Sequence, residues 1–523
     1  MIHRHLIARL IGLVCLIAIV GGMTVRASTI FLPLVLKTEP TATPSSPSPF
    51  GFETNPGRIT SAALQERARA LGASWIRLKS VNWRDVQPQE GTPVAQWNWE
   101  ALETFEQEVL AAQALGLTPI AMVFKNPDWA MEPYTHPSTG LPAYAPCGPV
   151  DEAHFGAFAT FLRELAARYS QPPYNVHYWE LGNEPDVDPV LTAPAPGTEG
   201  YGQQEYFGCW GRIRKKDQPD EVDPYYGGEH YGRMLTAVAP EIRQADPQAR
   251  IIIGGLLLDH PVTEDPTTEG LPEKFLEGIL KADPSGASFD AVGFHAYPWY
   301  SWEEGSRTDT DTHSDTWKDT WPGVTLGKIA YIHQVLAEGG AADKPLFLTE
   351  AAMILWSDPA NPPADDAILP DFLQAQADHV VRQASRALSA GVQVYCWYTL
   401  HRSGWFSSGL LNADLTPRPV YTAYQQFAEQ TSQRQGDPPD PPTDVSAAYD
   451  GPIEAYRFRT ASAFVDVLWA TDGNTIAYLN VPRSAFAAYD RDGAEKELIR
   501  TTLSTKIQDV GVSPVYVWHN GDE

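Results

Sequence analysis

Cysteine is scarce in this chain: 523 residues contain four, too few for a disulfide-scaffolded fold, and their spacing matches no zinc pattern. Positive charge is also in short supply. Thirty-eight Lys and Arg face 65 Asp and Glu, for a formal net charge of −27. Such a surface repels nucleic acid and anionic membranes, so neither is an expected partner. No G-x-G-x-x-G turn follows the first strand-like run, so a dinucleotide-binding fold lacks its signature. No internal repeat with a period of roughly 20–50 residues is present, which excludes a solenoid or propeller. What the chain has in quantity is tryptophan, 16 residues. Most Trp fill core, but the same flat apolar ring also stacks on ligands.

The N-terminus reads as an export signal. His3, Arg4 and Arg9 give a basic start, residues 10–20 are almost unbroken apolar sequence, and Val25-Arg26-Ala27 places small residues for cleavage after Ala27. The competing reading is an uncleaved anchor. The uncharged stretch 10–25 falls short of the roughly 20 residues a spanning helix needs. The expectation is therefore a secreted or cell-surface protein with no membrane insertion after cleavage. Cys15 leaves with the signal. Cys147 and Cys209 lie in polar loops, where pairing in an oxidising compartment and free thiols are both open. Cys396 lies in an apolar strand and reads as core.

Two breaks divide the rest. Residues 28–49 are an expected linker, rich in Pro, Ser and Thr from 38 onward, and residues 435–445 contain QGDPPDPPTD, which neither helix nor central strand tolerates. Between them, residues 50–434 alternate strand-like and helical patterns. Strand-like runs fall at 50–53, 75–79, 119–124, 176–181, 251–257, 291–296, 346–349 and 392–397. Helical periodicity marks 101–115, 155–169, 326–336 and 372–388. Eight strands alternating with helices predict an α/β fold, a closed (β/α)8 TIM barrel. Residues 446–523 carry short β-prone segments separated by turns such as Asp472-Gly473, and predict a small C-terminal β-sandwich.

Function in such a barrel sits at the C-terminal ends of the strands. The fourth strand runs HYWELGNEPD, residues 177–186, and Pro185 directly after Glu184 ends it. The seventh runs KPLFLTEAAM, residues 344–353, closing on Glu350. Two Glu thus face each other across the mouth. Glycoside hydrolysis needs such a pair, one carboxyl protonating the leaving oxygen and the other attacking the anomeric carbon.

The Asn183-Glu184-Pro185 and Thr349-Glu350 motifs together resemble clan A of the glycoside hydrolases, closest in character to its β-xylosidase-like and cellulase-like families. The resemblance covers about residues 50–430. It implies that Glu184 is the general acid/base, Glu350 the nucleophile, and Asn183 a partner of the sugar 2-hydroxyl. By the same resemblance Arg77, in SWIRLKS, pairs with the nucleophile. His295 and Tyr297, in GFHAYPW, line the site, and Trp397 at the end of the eighth strand stacks under the sugar. A structural salt bridge for Arg77 and a core role for His295 are the competing readings. Weaker candidates are Glu53, Asn55, Asn126, Trp129 and His177. Asp309, Asp311, Asp315 and Asp319 read as a solvated loop, since they lack the central Gly and final Glu of a calcium loop. No metal or organic cofactor is implied by this chemistry.

The long loop after Glu184, residues 186–228, carries Tyr201, Tyr206, Trp210 and the basic run 212–216. It reads either as a cleft-shaping element, with the basic run touching an acidic sugar, or as plain solvated surface. The expected partner is an oligo- or polysaccharide, of plant β-glucan or β-xylan type or an α-L-arabinoside. A transglycosylase with the same intermediate and a non-catalytic carbohydrate-binding surface protein are the competing functions.

Overall fold

The structure is a computed structural model. It describes residues 48–521 except 136–138, 146, 188–209, 212–213, 216–217, 259–273, 301–310, 312–322, 356–369, 402–406 and 432–439. The expected signal, most of the first linker and residues 435–439 of the second lie outside the described residues, as do Cys15 and Cys209. Among the described residues, no helix is long and apolar enough to cross a membrane.

Eight strands, β1 (Phe50–Glu53), β2 (Trp75–Asn82), β3 (Thr118–Phe124), β4 (Tyr178–Asn183), β5 (Arg250–Leu256), β6 (Ala291–Ala296), β7 (Leu346–Ala351) and β8 (Val392–Trp397), close into a barrel in sequential order. Every neighbouring pair is parallel. After each strand the chain returns through a helix: α1 (Ala62–Ala70), α2 (Glu103–Leu115), α3 (Phe155–Tyr169), α4 (Tyr226–Ala245), α5 (Phe275–Ala282), α6 (Val324–Glu338), α7 (Pro370–Ser389) and α8 (Pro419–Thr431). This is the expected (β/α)8 barrel.

Strand alternation sorts the side chains into two environments. In β2, Ile76 and Leu78 join the core between strands and helices, while Trp75 joins the barrel interior with Ile120, Ile252, Phe347, Val394 and Cys396. This apolar floor is tightly filled. A Cβ on Gly51 would lie 2.7 Å from both Cys396 Sγ and Trp75 Cβ. Above the floor the interior turns charged, and that layer is the site. Cys396 is a buried free thiol, as its strand position predicts, and Cys147 is disulfide-bonded.

The C-terminal region adds β9 (Thr443–Asp444), β10 (Ile453–Arg459), β11 (Phe464–Ala470), β12 (Ile476–Val481), β13 (Ala485–Asp490), β14 (Ile499–Arg500), β15 (Thr505–Val510) and β16 (Val515–His519). They form antiparallel sheets in the orders β9-β10-β11-β16-β13 and β12-β15-β14, the expected sandwich. One face of the larger sheet packs Ala455, Leu468 and Val517 against the smaller sheet. Its other face gives Tyr456, Phe458, Val467 and Trp469 to the barrel's own core. Barrel and sandwich are therefore one compact unit.

Candidate active site

Arg77 is the centre of the charged layer. It points inward from β2, fully buried, and its guanidinium binds carboxylate and amide groups on three other strands at once. Nε donates to Glu180 Oε2 of β4 at 2.5 Å, Nη1 to Glu53 Oε2 of β1 at 2.7 Å and Nη2 to Asn183 Oδ1 at 2.8 Å. Nη1 also donates to Glu350 Oε1. Burial works against the charge of Arg77, but Glu180, Glu350 and Glu53 outweigh it and hold the guanidinium protonated. Glu180 is completed by the Thr349 hydroxyl at 3.0 Å and the Gly255 N–H at 2.9 Å.

Two local breaks in strand alternation bring the motif residues to the mouth. Simple alternation from Glu180 would put Gly182 inside and Asn183 outside. Gly182 instead adopts φ 96°, a conformation that L side chains resist, and Asn183 turns in to meet Arg77. Glu184 follows in the left-handed region at φ 48°, its N–H held by Gly255 O at 2.9 Å. In β7 the pairing to β8 shifts register between Leu348 and Ala351, so Thr349 and Glu350 both reach the interior. Gly255 leaves room for the imidazole, since a Cβ there would lie 2.1 Å from His295 Nε2.

The two motif carboxylates see opposite surroundings. Glu350 accepts from Arg77 and from the Tyr297 hydroxyl. Burial first, and then Glu350, push the Tyr297 phenol well up, so it remains a donor. Glu184 has His295 Nδ1 at 2.8 Å from Oε1. Burial above all, then the nearby Glu350 and Asp186, push its carboxyl well above the usual carboxylate range. His295 is driven the other way, well down, by burial and then by Arg77, so the imidazole is neutral. Ligand atoms of Glu184, His295 and Glu350 all lie within 4.8 Å of one another. Asp186 fastens the loop beyond by accepting from the Leu257 and Leu258 N–H groups at 2.9 and 2.7 Å.

The site thus gathers Glu184, Glu350, Asn183, Arg77, His295 and Tyr297. It does not include Trp397. By alternation Cys396 faces the barrel interior and Trp397 faces the helices, where it is fully buried and its indole N–H donates to Ser408 O at 2.8 Å. The ring that turns to the mouth is Tyr398, with its centroid 6.2 Å from that of Tyr297. A one-residue parity decides this, and the end of a strand does not display it in sequence.

Of the weaker candidates, Glu53 belongs to the charged layer. Asn126 donates to Gly148 O, Trp129 to Gln87 O, and His177 pairs with Asp246. Trp210 is core packed on His230 and Tyr231. Asp311 is not a solvated loop residue: it is buried and bound to Arg386 at 3.1 Å. Asp309, Asp315, Asp319, Tyr201, Tyr206, Arg212 and Lys216 lie outside the described residues. Glu180 and Lys79 escaped sequence reading. Their signal was a charged residue on the inward parity of an otherwise apolar strand, as for Arg77.

A closed barrel with paired carboxyl groups at its C-terminal mouth defines a glycoside hydrolase of clan A type. The family model for cellulase, glycosyl hydrolase family 5, matches residues 38–334, more than half of the 523 residues, and the chain belongs to that family. It is a glycosidase. The match ends before β7, so the placement of Glu350 rests on the barrel itself. No curated protein matches the chain in sequence. Among solved structures it is similar to a family 39 glycoside hydrolase from Bacteroides cellulosilyticus, at 18% identity and TM-score 0.60 over 91% of this chain and 81% of that one. It is also similar to a family 30 endoxylanase from Clostridium papyrosolvens, at 13% identity and TM-score 0.55 over 91% and 98%. A family 39 β-xylosidase from Caulobacter crescentus matches at 13% identity and TM-score 0.53 over 91% and 98%. At such identities these likenesses concern the fold.

Proposed function

We propose that the protein hydrolyses β-linked glycans with retention, through a glycosyl-enzyme intermediate. One observation carries this reading: a carboxyl oxygen of Glu184 and one of Glu350 lie within 4.8 Å of each other, in environments that drive one group toward protonation and surround the other with donors. The spacing suits direct attack; an inverting pair needs about 6.5–9.5 Å to admit a water between.

Glu350 attacks the anomeric carbon while Arg77 and Tyr297 hold its two oxygens in line. Glu184 gives its proton to the departing glycosidic oxygen. With its own proton on Nδ1, neutral His295 donates to Oε1 of Glu184 and leaves Oε2 to carry the acid proton. Water then enters, Glu184 takes a proton from it as the water oxygen bonds to the anomeric carbon, and the bond from that carbon to Glu350 breaks, freeing the carboxylate. Asn183, oriented by Arg77, is set to donate to the sugar 2-hydroxyl. The substrate class is β-glucan or β-xylan, with α-L-arabinosides as the stereochemical relatives, and is supported by the family and by the xylanase and xylosidase activities of the structural neighbours. Export of the mature chain accompanies this reading. It is supported by the basic-then-apolar N-terminus and by the disulfide at Cys147, a bond that persists in oxidising compartments.

The test is Glu350→Ala with added azide, on aryl β-glycosides and aryl α-L-arabinofuranosides. Rescue giving a glycosyl azide of inverted configuration is the expected result. Full activity without azide would remove Glu350 from its assigned role.

A further inference from the structure

The mouth holds a second charged pair that the displacement chemistry does not use. Lys79 lies two residues beyond Arg77 on the inward side of β2. Its Nζ is 2.6 Å from Glu53 Oε1 at the end of β1, and 5.3 Å from the centroid of the Tyr398 ring beyond β8. Three adjacent strands thus contribute one side chain each to a continuous patch. Arg77 below is fully enclosed, whereas the Lys79 side chain keeps 18% of its surface exposed, which places its ammonium at the open top of the charged layer. The patch adjoins the nucleophile through Tyr398 and Tyr297. It lies on the side of the barrel away from Glu184 and His295. A sugar whose anomeric carbon meets Glu350 and whose glycosidic oxygen meets Glu184 extends its ring over this side.

We propose that Lys79, held by Glu53, is a specificity-determining residue of the donor subsite that reads a ring hydroxyl and selects an uncharged glycone over a uronic acid. The inference rests on the glycosidase reading above. An ammonium has three donors and no acceptor. Glu53 engages one, and the exposed face of Lys79 leaves donors for the lone pairs of a hydroxyl. Charge decides against a carboxylated sugar. The cations of this corner are already matched, Lys79 by Glu53, and Arg77 by Glu53, Glu180 and Glu350. Among the described residues the cations of this corner, Arg77 and Lys79, are outnumbered by Glu53, Glu180 and Glu350, so a uronate would meet a net negative charge as well as its own desolvation cost. A neutral hydroxyl bears no such cost.

The experiment compares the parent chain with Lys79→Met on the best neutral aryl glycoside, its single-deoxy analogues and the matching aryl β-glucuronide. In the parent, one deoxy analogue should lose about 10- to 100-fold in kcat/KM, the scale of a hydrogen bond to a charged group. In Lys79→Met the intact glycoside should fall to that same level, and the deoxy analogue should lose nothing further. The glucuronide should be the poorest substrate of the parent. If Lys79→Met fails to fold, Lys79→Gln, which keeps a donor without the charge, should reduce the deoxy penalty to the few-fold scale of a neutral hydrogen bond. Undiminished deoxy penalties in the variant would place hydroxyl recognition elsewhere. Faster cleavage of the glucuronide than of any neutral glycoside would overturn the selectivity. A parent inactive on every glycoside would instead sink the glycosidase reading, and this inference with it.

Discussion

His295 Nδ1 lies 2.8 Å from Glu184 Oε1, and burial displaces the two ionisations in opposite directions, the carboxyl upward and the imidazole downward. The acid is therefore kept neutral beside a neutral ring. Under the proposed mechanism the protonated form of Glu184 is the competent one, so activity should be present at low pH and fall as pH rises through its elevated pKa. The alkaline limb of kcat/KM against pH should lie above the usual carboxylate range and disappear in Glu184→Gln. Measured on an aryl glycoside with a good leaving group, which needs little acid assistance, the variant should keep a flat residual rate. An alkaline limb that survives the substitution would belong to another group.

The same displacement affects stability. A carboxyl raised on folding contributes stability below its unfolded pKa and loses that contribution as pH rises through its folded pKa. Glu184→Gln removes this loss. Its melting temperature should exceed that of the parent by more at about pH 8 than at about pH 4. Equal differences at the two values would mean that Glu184 carries no such strain.

Arg77 is the shared partner of Glu53, Glu180 and Glu350. Arg77→Met leaves three carboxyl groups crowded without their common cation. Breaking a buried pair costs about 3–5 kcal/mol, so urea unfolding should show a loss of at least that order, with activity abolished. A variant of parental stability would show that the carboxyls find other compensation.

Gly182 holds φ 96° and turns Asn183 inward. Gly182→Ala should cost roughly 1–2 kcal/mol from backbone strain alone. It should also lower kcat more than it changes KM, because Asn183 and Glu184 are displaced together from the transition-state contacts proposed for them. Thermal unfolding and steady-state kinetics check both parts.

Sandwich and barrel are joined through Arg386 of α7. It takes both oxygens of Glu454 at 2.7 Å and Asp311 at 3.1 Å, and Asp311 in turn receives the Thr325 hydroxyl of α6 at 2.7 Å. Arg386→Met should destabilise by about 3 kcal/mol or more and leave a single unfolding transition, seen by both Trp fluorescence and far-ultraviolet circular dichroism. Separate transitions would show that the two parts are thermodynamically independent.

The barrel was legible because its signals are local. Apolar runs of strand length, helical periodicity between them and polar residues at strand ends are properties of short windows, and they locate all eight strands. The Asn183-Glu184-Pro185 turn and the Thr349-Glu350 strand end are local in the same way, and they bring the two carboxyl groups to one mouth once the barrel closes. The sandwich was legible in outline, but the two-residue strands β9 and β14 and the weakly alternating β15, residues 505–510, went unread.

Tertiary structure decided the rest, through side-chain direction and long-range pairing. Which way a residue faces at a strand end depends on register with its neighbours. The positive φ of Gly182 and the shifted register of β7 turned Asn183 and Glu350 inward, while unbroken alternation in β8 turned Trp397 away and gave the mouth Tyr398. The Arg77 cluster joins residues 24, 103 and 273 positions apart. No window of sequence contains them, and only closure of the barrel makes one buried cation the partner of three carboxyl groups.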